Sequence, residues 1–286
     1  MPQTIRPDAS TTRTQATGSP LPAVVGQATM SGCMDEPHPA GADYTECGLG
    51  SVGDALVVGL GNPSPTPGHD FNHIIRVCGS KSSSGGSAVG FVCELRQGYD
   101  SEDENQTNSA TLNEALDNSE TAVTVSDGAQ FAANDIIRID GEQMLVTSIA
   151  ANDLTVVRGV NGSSPTEHAT STAINVNDRG RLVASFVCSS LSDVVNDSIY
   201  RYRLTTTEAA LITDYTDLQL RFLSTNARSG APRSCRLHWA EVQLPTTGEV
   251  GVDSELIPVE RQRQFRGESI TQPSIDRTVE PSSARH

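Results

Sequence analysis

Apolar residues recur at every second position in short segments through the central part of this 286-residue chain. In the segment 88–96, Val89, Phe91, Cys93 and Leu95 fall on one face of an extended strand. This alternation predicts β-strands that are packed on one side. Only 4% of the residues are aromatic, and the abundance of Thr, Ser, Val, Asp, Asn and Gly favours short strands and polar turns over long helices. The chain is therefore predicted to be all-β.

The same pattern predicts strands along most of the chain between residues 55 and 244. They are expected at 55–60, 72–78, 88–96, 122–125, 136–139, 143–149, 154–157, 173–176, 182–188, 199–204, 218–223 and 235–244. The segment 205–212 carries one clear capping box, with Thr205 followed by Glu208, and it predicts one or two helical turns. Trp239, the single tryptophan, alternates inward with Leu237 and is predicted to anchor a core.

Composition and turn spacing divide the chain into five regions. Turn signals about every ten to fifteen residues between 110 and 176 fit a small inserted β-sandwich or barrel domain. This insert would interrupt a larger body formed by residues 31–109 and 177–247. Residues 1–30 and 248–286 are rich in polar residues and proline and show no periodic apolar face, so they are predicted to be extended arms. Such arms could lie along the sheet edge of a neighbouring subunit or fold back on their own chain.

The charge of the chain narrows the classes of partner. A formal net charge of -15 and a pI near 4.7 argue against binding to nucleic acid or to an anionic membrane, because both need a cationic face. Other proteins are therefore the expected partners. The sequence contains no apolar stretch long enough to span a membrane, and its first residues lead into no signal-peptide core. A soluble product made in the cytoplasm is expected.

Cysteine occurs at six positions: Cys33, Cys47, Cys78, Cys93, Cys188 and Cys235. The absence of a C-x-x-C pair from the sequence argues against a zinc site. Cys93 and Cys188 lie in alternating strand segments, where a cysteine is expected to pack as a small buried residue. Cys33 and Cys47 lie in stretches rich in glycine and proline, so they are candidates for surface or intersubunit disulfides in an oxidising medium.

The residue groups that could support chemistry are weak signals. His69 and His73 have a spacing that suits metal ligands on a helix, but their context predicts a turn and a strand, which favours a packed role for His73. The acidic segment 100–105 lacks the EF-hand pattern, which favours a solvated loop. The sequence contains neither a nucleophile elbow nor a phosphate-binding loop. We predict a non-enzymatic protein that needs no metal or cofactor.

The segment 110–176 resembles a recurrent module of tailed-phage virion proteins. The matching text is LNEALD at 112–117, TAVTV at 121–125, IRIDGE at 137–142, Met144, RGVNGS at 158–163 and His168. The dipeptides at 140–141 and 161–162 also suit type I′ turns, so turn chemistry alone could maintain them. For His168 we expect a hydrogen-bonded loop residue.

The flanking regions resemble a jelly-roll-type domain that is often encoded among phage structural genes. The matching text is VGLGNP at 58–63, HIIR at 73–76, ELRQG at 94–98, LITDYTDL at 211–218, LRF at 220–222 and WAEVQLP at 239–245. These matches keep the order and spacing of such domains once the insert is removed. The resemblance implies a jelly-roll-type β-sandwich interrupted by the insert.

Together the two resemblances imply a structural component of a tailed bacteriophage particle. The leading expectation is a capsid decoration protein that is docked by its terminal arms, with a neck, collar or tail-fibre component as the alternative. Its partners would be major capsid, neck or tail proteins, and it would be a homo-oligomer, with a trimer implied by resemblance. It would be made in the host cytoplasm and reside in the virion. A carbohydrate-binding adhesin, with Tyr200, Tyr202 and Trp239 facing a host glycan, is the alternative from another class.

Overall fold

The computed structural model describes a large part of the chain between residues 3 and 245. The described residues are 3–8, 15–16, 23–25, 34, 44–47, 55–64, 66–67, 72–82, 88–194, 198–225 and 235–245, with backbone alone for 15–16, 23–25 and 44–47. All of these described residues belong to one compact unit. The predicted C-terminal arm, 248–286, lies outside the described residues.

The described residues form an all-β fold, which confirms the predicted class. Its strands are β1 (Gln3–Ile5), β2 (Gln15–Ala16), β3 (Ala23–Val25), β4 (Tyr44–Cys47), β5 (Ala55–Gly59), β6 (Ile74–Lys81), β7 (Phe91–Gln97), β8 (Gln106–Thr111), β9 (Ala122–Thr124), β10 (Ile136–Ile139), β11 (Glu142–Ala150), β12 (Asp153–Val157), β13 (Ala173–Val176), β14 (Arg181–Cys188), β15 (Ile199–Arg203), β16 (Leu218–Ser224) and β17 (Cys235–Leu244). Short 3-10 turns lie at Gly128–Gln130 and Val160–Gly162.

Two of the three described sheets pack face to face as a sandwich. The first has the strand order β15-β6-β17-β4-β3, with β1 also pairing with β17, and the second has the order β14-β7-β16-β5-β2. Their shared core takes alternate residues from both sheets, such as Ile75 and Val77 of β6 and Leu220 and Phe222 of β16. The period of two in the sequence therefore directs one face of each strand into this core.

The third sheet has the order β8-β13-β10-β11-β12-β9, and all its strands lie between residues 106 and 176. It has its own cluster of buried apolar residues, which includes Leu112, Ile137 and Leu154. The strands on either side of this segment, β7 and β14, pair directly with each other, with Gln97 opposite Arg181. The third sheet therefore occupies the place of a hairpin turn in the sandwich. The division of the chain into domains stays a prediction.

Parts of the predicted N-terminal arm pair with strands of their own chain. β1 pairs with β17 of the first sheet, β2 with β5 of the second, and β3 with β4 of the first. Between them, Pro7 bridges to Leu60, and the Asp8 amide donates to the Gly59 carbonyl at 3.1 Å. The described segment 3–8 thus passes from one sheet to the other and closes that side of the sandwich.

The one described α-helix, α1 (Thr206–Ala209), begins where the sequence predicted it. The Thr205 hydroxyl accepts from the Glu208 amide at 3.1 Å, and the Glu208 carboxylate accepts from the Thr205 amide at 2.8 Å. This reciprocal pair satisfies two amides that the first helical turn leaves without partners. The helix ends before the predicted residue 212, in a turn that places Ile212 in the core.

β7 differs from its prediction, because both of its faces are buried. Its apolar face lies in the sandwich core as expected, but Glu94 on the opposite face is only 9% exposed and Arg96 only 7%. The Arg96 guanidinium donates to the carbonyls of Arg179 and Gly180, which lie just before β14. The second face of β7 is therefore covered by polar segments that join the sandwich to the third sheet.

Candidate functional site

A charged clamp holds the third sheet together. The carboxylate of Glu142 is buried, and Arg158 donates to it from Nε to Oε1 at 2.5 Å and from Nη2 to Oε2 at 2.7 Å. Arg158 also donates to the carbonyls of Asp117, Glu120 and Thr166. Burial alone would raise the pKa of Glu142, but hydrogen bonds from Arg158, the Thr166 amide and His168 hold it below its ordinary value.

His168 completes this clamp as a buried residue with two carboxylate partners. Its Nδ1 lies 2.9 Å from Asp140 Oδ2, and its Nε2 lies 3.0 Å from Glu142 Oε2. The sequence-based expectation of a hydrogen-bonded loop residue is confirmed.

The turn at Val160–Gly162 ties the third sheet to the sandwich. Asn161 and Gly162 both lie in the left-handed region, with φ of 54° and 81°, as a type I′ turn requires. The side-chain Nδ2 of Asn161 donates to Gln143 Oε1 at 2.9 Å and to the Gly180 carbonyl at 3.1 Å. Its oxygen accepts from the Leu182 amide at 2.8 Å. Asn161 therefore connects the third sheet to the sandwich.

The turn between β10 and β11 only partly follows the predicted type. Asp140 has a φ of 53°, but Gly141 does not lie in the left-handed region, so the type I′ prediction for this pair is wrong. Ile139 and Glu142 still face each other across the two-residue turn. The conformation at Asp140 brings its carboxylate to His168.

A second charge cluster covers the outer face of the second sheet. Arg221 of β16 donates to Glu102 at 2.7 and 2.6 Å, and to Glu94 of β7 at 2.9 Å. Burial acts to raise the pKa of Glu102, but the hydrogen bonds and charge of Arg221, together with the charge of Arg179, lower it overall. The acidic segment 100–105 was predicted to be a solvated loop; at Glu102 this is wrong, because two arginines hold the carboxylate against the sheet.

Two further carboxylates, those of Asp135 and Asp178, lie near this loop. Burial, and then the negative charge of Asp100, raises the pKa of both Asp135 and Asp178. Over the described ranges, no group of three or more histidine, cysteine, aspartate or glutamate side chains is placed to hold a metal ion. His69, the other half of the weak metal signal, lies outside these ranges. His73 is buried, with Nε2 2.7 Å from the Tyr215 hydroxyl.

Two of the cysteines lie in the core, and the disulfides predicted for two others concern side chains outside the described structure. Cys93 and Cys188 are fully buried in the sandwich core, as predicted, and burial raises the pKa of both thiols. Cys33 lies outside the described residues. The backbone of β4 places Cys47 opposite Cys235 of β17. The disulfides predicted for Cys33 and Cys47 stay a prediction.

The candidate glycan-facing aromatics do not form a common platform. Trp239 is buried, with 6% of its surface exposed. Tyr202 stacks on Phe186 with ring centroids 5.0 Å apart, and its hydroxyl donates to Glu208 at 2.7 Å. The Tyr200 hydroxyl donates to the Ser189 carbonyl at 2.5 Å. The three side chains are therefore engaged within the protein.

A pocket lies where the sandwich meets the third sheet. Its lining is mostly polar and includes Gln97, Arg181, Asp214 and Asp217, with no aromatic residue. The Gln97 side chain already bonds Thr213. This pocket therefore offers no aromatic ring on which a sugar could stack.

The edge of the sandwich opposite the N-terminal segment is the best candidate for an interaction surface. β14 ends one sheet and β15 ends the other, and the stack of Phe186 on Tyr202 joins them. Val187, Val194 and Ile199, on or between these strands, are 63%, 53% and 43% exposed. We call this surface, formed by β14, β15 and the residues that join them, the open side. A sheet edge that pairs with no other strand offers backbone groups that can pair with another chain.

In the part of the chain that the structure covers, no helix has the length and apolar character needed to cross a membrane. No known protein family, curated protein or solved structure matches the chain.

Proposed function

We propose that this chain is a non-enzymatic structural component of a tailed bacteriophage particle, with capsid decoration as its leading role and a neck, collar or tail-fibre position as the alternative. The clamp of the third sheet carries the proposal. Three of the residues that make the segment resemble a phage virion module meet in it: Arg158 and His168 each lie within 3.0 Å of the Glu142 carboxylate. Their spacing in the sequence thus has a common structural purpose, which supports a shared module rather than a chance match.

The contacts of the N-terminal segment support the proposed mode of binding. Three short strands from the first 25 residues each pair with a different strand of the sandwich. Strand addition supplies backbone hydrogen bonds without a specialised pocket. A decoration protein that is held by extended arms would use the same interaction on its neighbours.

The sheet connections are compatible with the proposed jelly-roll-type body. The third sheet replaces a hairpin turn between β7 and β14, which leaves the pairing of these two strands intact. An insert of this kind can be accommodated because its ends are close together in the sandwich. We propose that the insert projects a second surface from the body while the sandwich is docked to the particle.

The carbohydrate-binding alternative receives less support. Trp239 is buried, and the hydroxyls of Tyr200 and Tyr202 bond to Ser189 and Glu208. A sugar ring stacks on an exposed aromatic face with polar groups beside it. Only Tyr200 and Tyr202 are partly exposed, and each packs against the sandwich core.

Quantitative mass spectrometry of purified virions of the phage that encodes the chain tests the proposal. The ratio of this chain to the major capsid protein is the readout, and reducing and non-reducing gels are compared in parallel. Hundreds of copies would support decoration, and roughly a dozen would support the neck or tail, because decoration follows the many equivalent capsid positions. Absence of the chain from virions would refute the proposed function.

A further inference from the structure

The described N-terminal strands pair with the sandwich on one of its sides only. On that side, β1, β2 and β3 pair with β17, β5 and β4, respectively. On the other side β14 and β15 end their sheets, and no described strand pairs with their outer edges. An open sheet edge presents N–H and C=O groups that can pair with another chain.

The backbone of β15 directs alternate residues toward its open edge. The Gly79 amide donates to the Ser198 carbonyl, and the Leu204 amide donates to the His73 carbonyl, so residues 198 and 204 form hydrogen-bonded pairs with β6. Such pairs alternate along an antiparallel ladder, so the polar backbone groups of Ile199, Arg201 and Arg203 point away from β6. The same three residues are exposed.

The side chains of β15 divide into two distinct faces. Arg201 and Arg203 place two positive charges beside the exposed Ile199 on the outer face. Tyr200 and Tyr202 lie on the inner face and pack against the sandwich core. A strand that extends β15 would therefore need acidic residues on one face and apolar residues on the other.

The segment 249–256, which lies outside the described residues, has this pattern in its sequence, EVGVDSEL. In an extended strand Glu249, Asp253 and Glu255 share one face, and Val250, Val252 and Leu256 share the other with Ser254. No basic residue occurs between 246 and 260. The segment is complementary to both faces of β15.

We propose that residues 249–256 of a neighbouring copy pair with β15 as an additional strand and so join subunits of this protein. This inference rests on the proposed role as an oligomeric structural protein, and it names the contact that makes the oligomer. The acidic face would lie beside Arg201 and Arg203, and the apolar face would lie beside Tyr202 and its stacking partner Phe186. Direct pairing of two β15 edges would instead bring like charges together, which is unfavourable.

Self-association of the purified full-length protein tests this contact. Sedimentation velocity across micromolar concentrations should show an oligomer for the wild type. The edge variant Arg201→Glu/Arg203→Glu and the tail variant Glu249→Arg/Asp253→Arg/Glu255→Arg should each weaken self-association by at least about tenfold, because like charges then face each other. A 1:1 mixture of the two variants should associate again, since each supplies the surface that the other has reversed.

The matched control reverses acidic residues elsewhere in the tail, as Glu268→Arg/Asp276→Arg/Glu280→Arg, and should leave self-association unchanged. Circular dichroism and the fluorescence of Trp239 report whether each variant keeps its fold. A monomeric wild type, an oligomer unaffected by both reversals, or dissociation by the control variant would each overturn the proposed contact. Because the measurement uses purified protein, its failure is distinguishable from absence of the chain in virions.

Discussion

Arg158 donates two parallel hydrogen bonds to the buried carboxylate of Glu142, although 16 residues separate them in the sequence. The side chains are 5% and 0% exposed. A charge-assisted pair of this kind is strong and directional. Once either partner is removed, the other is a buried charge with incomplete compensation. Substitutions in the clamp therefore test the stability of the third sheet most directly.

Replacing Arg158 with methionine should lower the free energy of unfolding by about 3 kcal/mol, because Glu142 would keep its burial and lose its main partner. Urea denaturation followed by circular dichroism measures the change. Arg138→Met is the control: Arg138 is a partly exposed arginine of β10 that bonds Asn105 and the Asp140 carbonyl, so a loss below about 1 kcal/mol is expected. Equal losses of unfolding free energy in the two variants would show that Arg158 stabilises the fold no more than the partly exposed Arg138 does.

The stability that depends on Glu142 should vary with pH in one direction. Its folded pKa lies below the ordinary value of 4.5, so the unfolded chain binds the proton more readily than the folded one. The stabilising contribution is therefore complete above about pH 4.5 and is lost as the pH falls through the folded pKa. The difference in unfolding free energy between wild type and Glu142→Gln should shrink over this range.

Denaturation curves at a series of pH values, for wild type and Glu142→Gln, measure this difference. Glu167→Gln is a suitable control, because Glu167 is an exposed residue of the same loop as His168. The control should follow the wild type at every pH. A difference for Glu142→Gln that grew in acid would contradict the assigned direction of the pKa.

Asn161 should matter through its hydrogen bonds as well as its backbone conformation. Asn161→Gly keeps the left-handed φ of 54° but removes the bonds to Gln143, Gly180 and Leu182, so a loss of about 1–3 kcal/mol is expected. Asn161→Ala should cost about 1 kcal/mol more, because alanine is strained in this region. Thermal and urea unfolding provide the readout.

Asn134 gives a matched comparison for this prediction. It also has a positive φ, 79°, and it is exposed. Asn134→Gly should therefore change the unfolding free energy by less than about 0.5 kcal/mol. If Asn161→Gly were equally neutral, the proposed connection between the third sheet and β14 would be wrong.

Cys93 and Cys188 should resist thiol reagents in the folded protein. Both are buried, and burial raises the pKa of both thiols, so the reactive thiolate is scarce and inaccessible. Maleimide labelling followed by peptide mass spectrometry should leave both unmodified under native conditions and label both in concentrated guanidinium chloride. Native labelling at the rate of a model peptide would show that this part of the core opens readily.

Much of the strand content could be predicted from the sequence because its signals are local. The predicted segments 136–139 and 173–176 coincide with β10 and β13, and the capping box of Thr205 and Glu208 forms as expected. β8, in contrast, was not predicted. Its sequence, QTNSAT, buries a single apolar residue, Ala110, so it becomes a strand by pairing with β13 and not by its own pattern.

Three features could be recognised in the amino-acid sequence: the all-β class, the alternation that points residues such as Phe91 and Leu95 into the core, and the turn chemistry at Asn161. The burial of Glu94, and the contacts of Glu142 with Arg158 and His168, depend instead on how the strands are arranged in three dimensions. Alternation and turn preference act over a few residues, so they can be recognised in the chain. Which segment covers a charge depends on the order in which strands pair, and that order is set by contacts between residues far apart in the sequence.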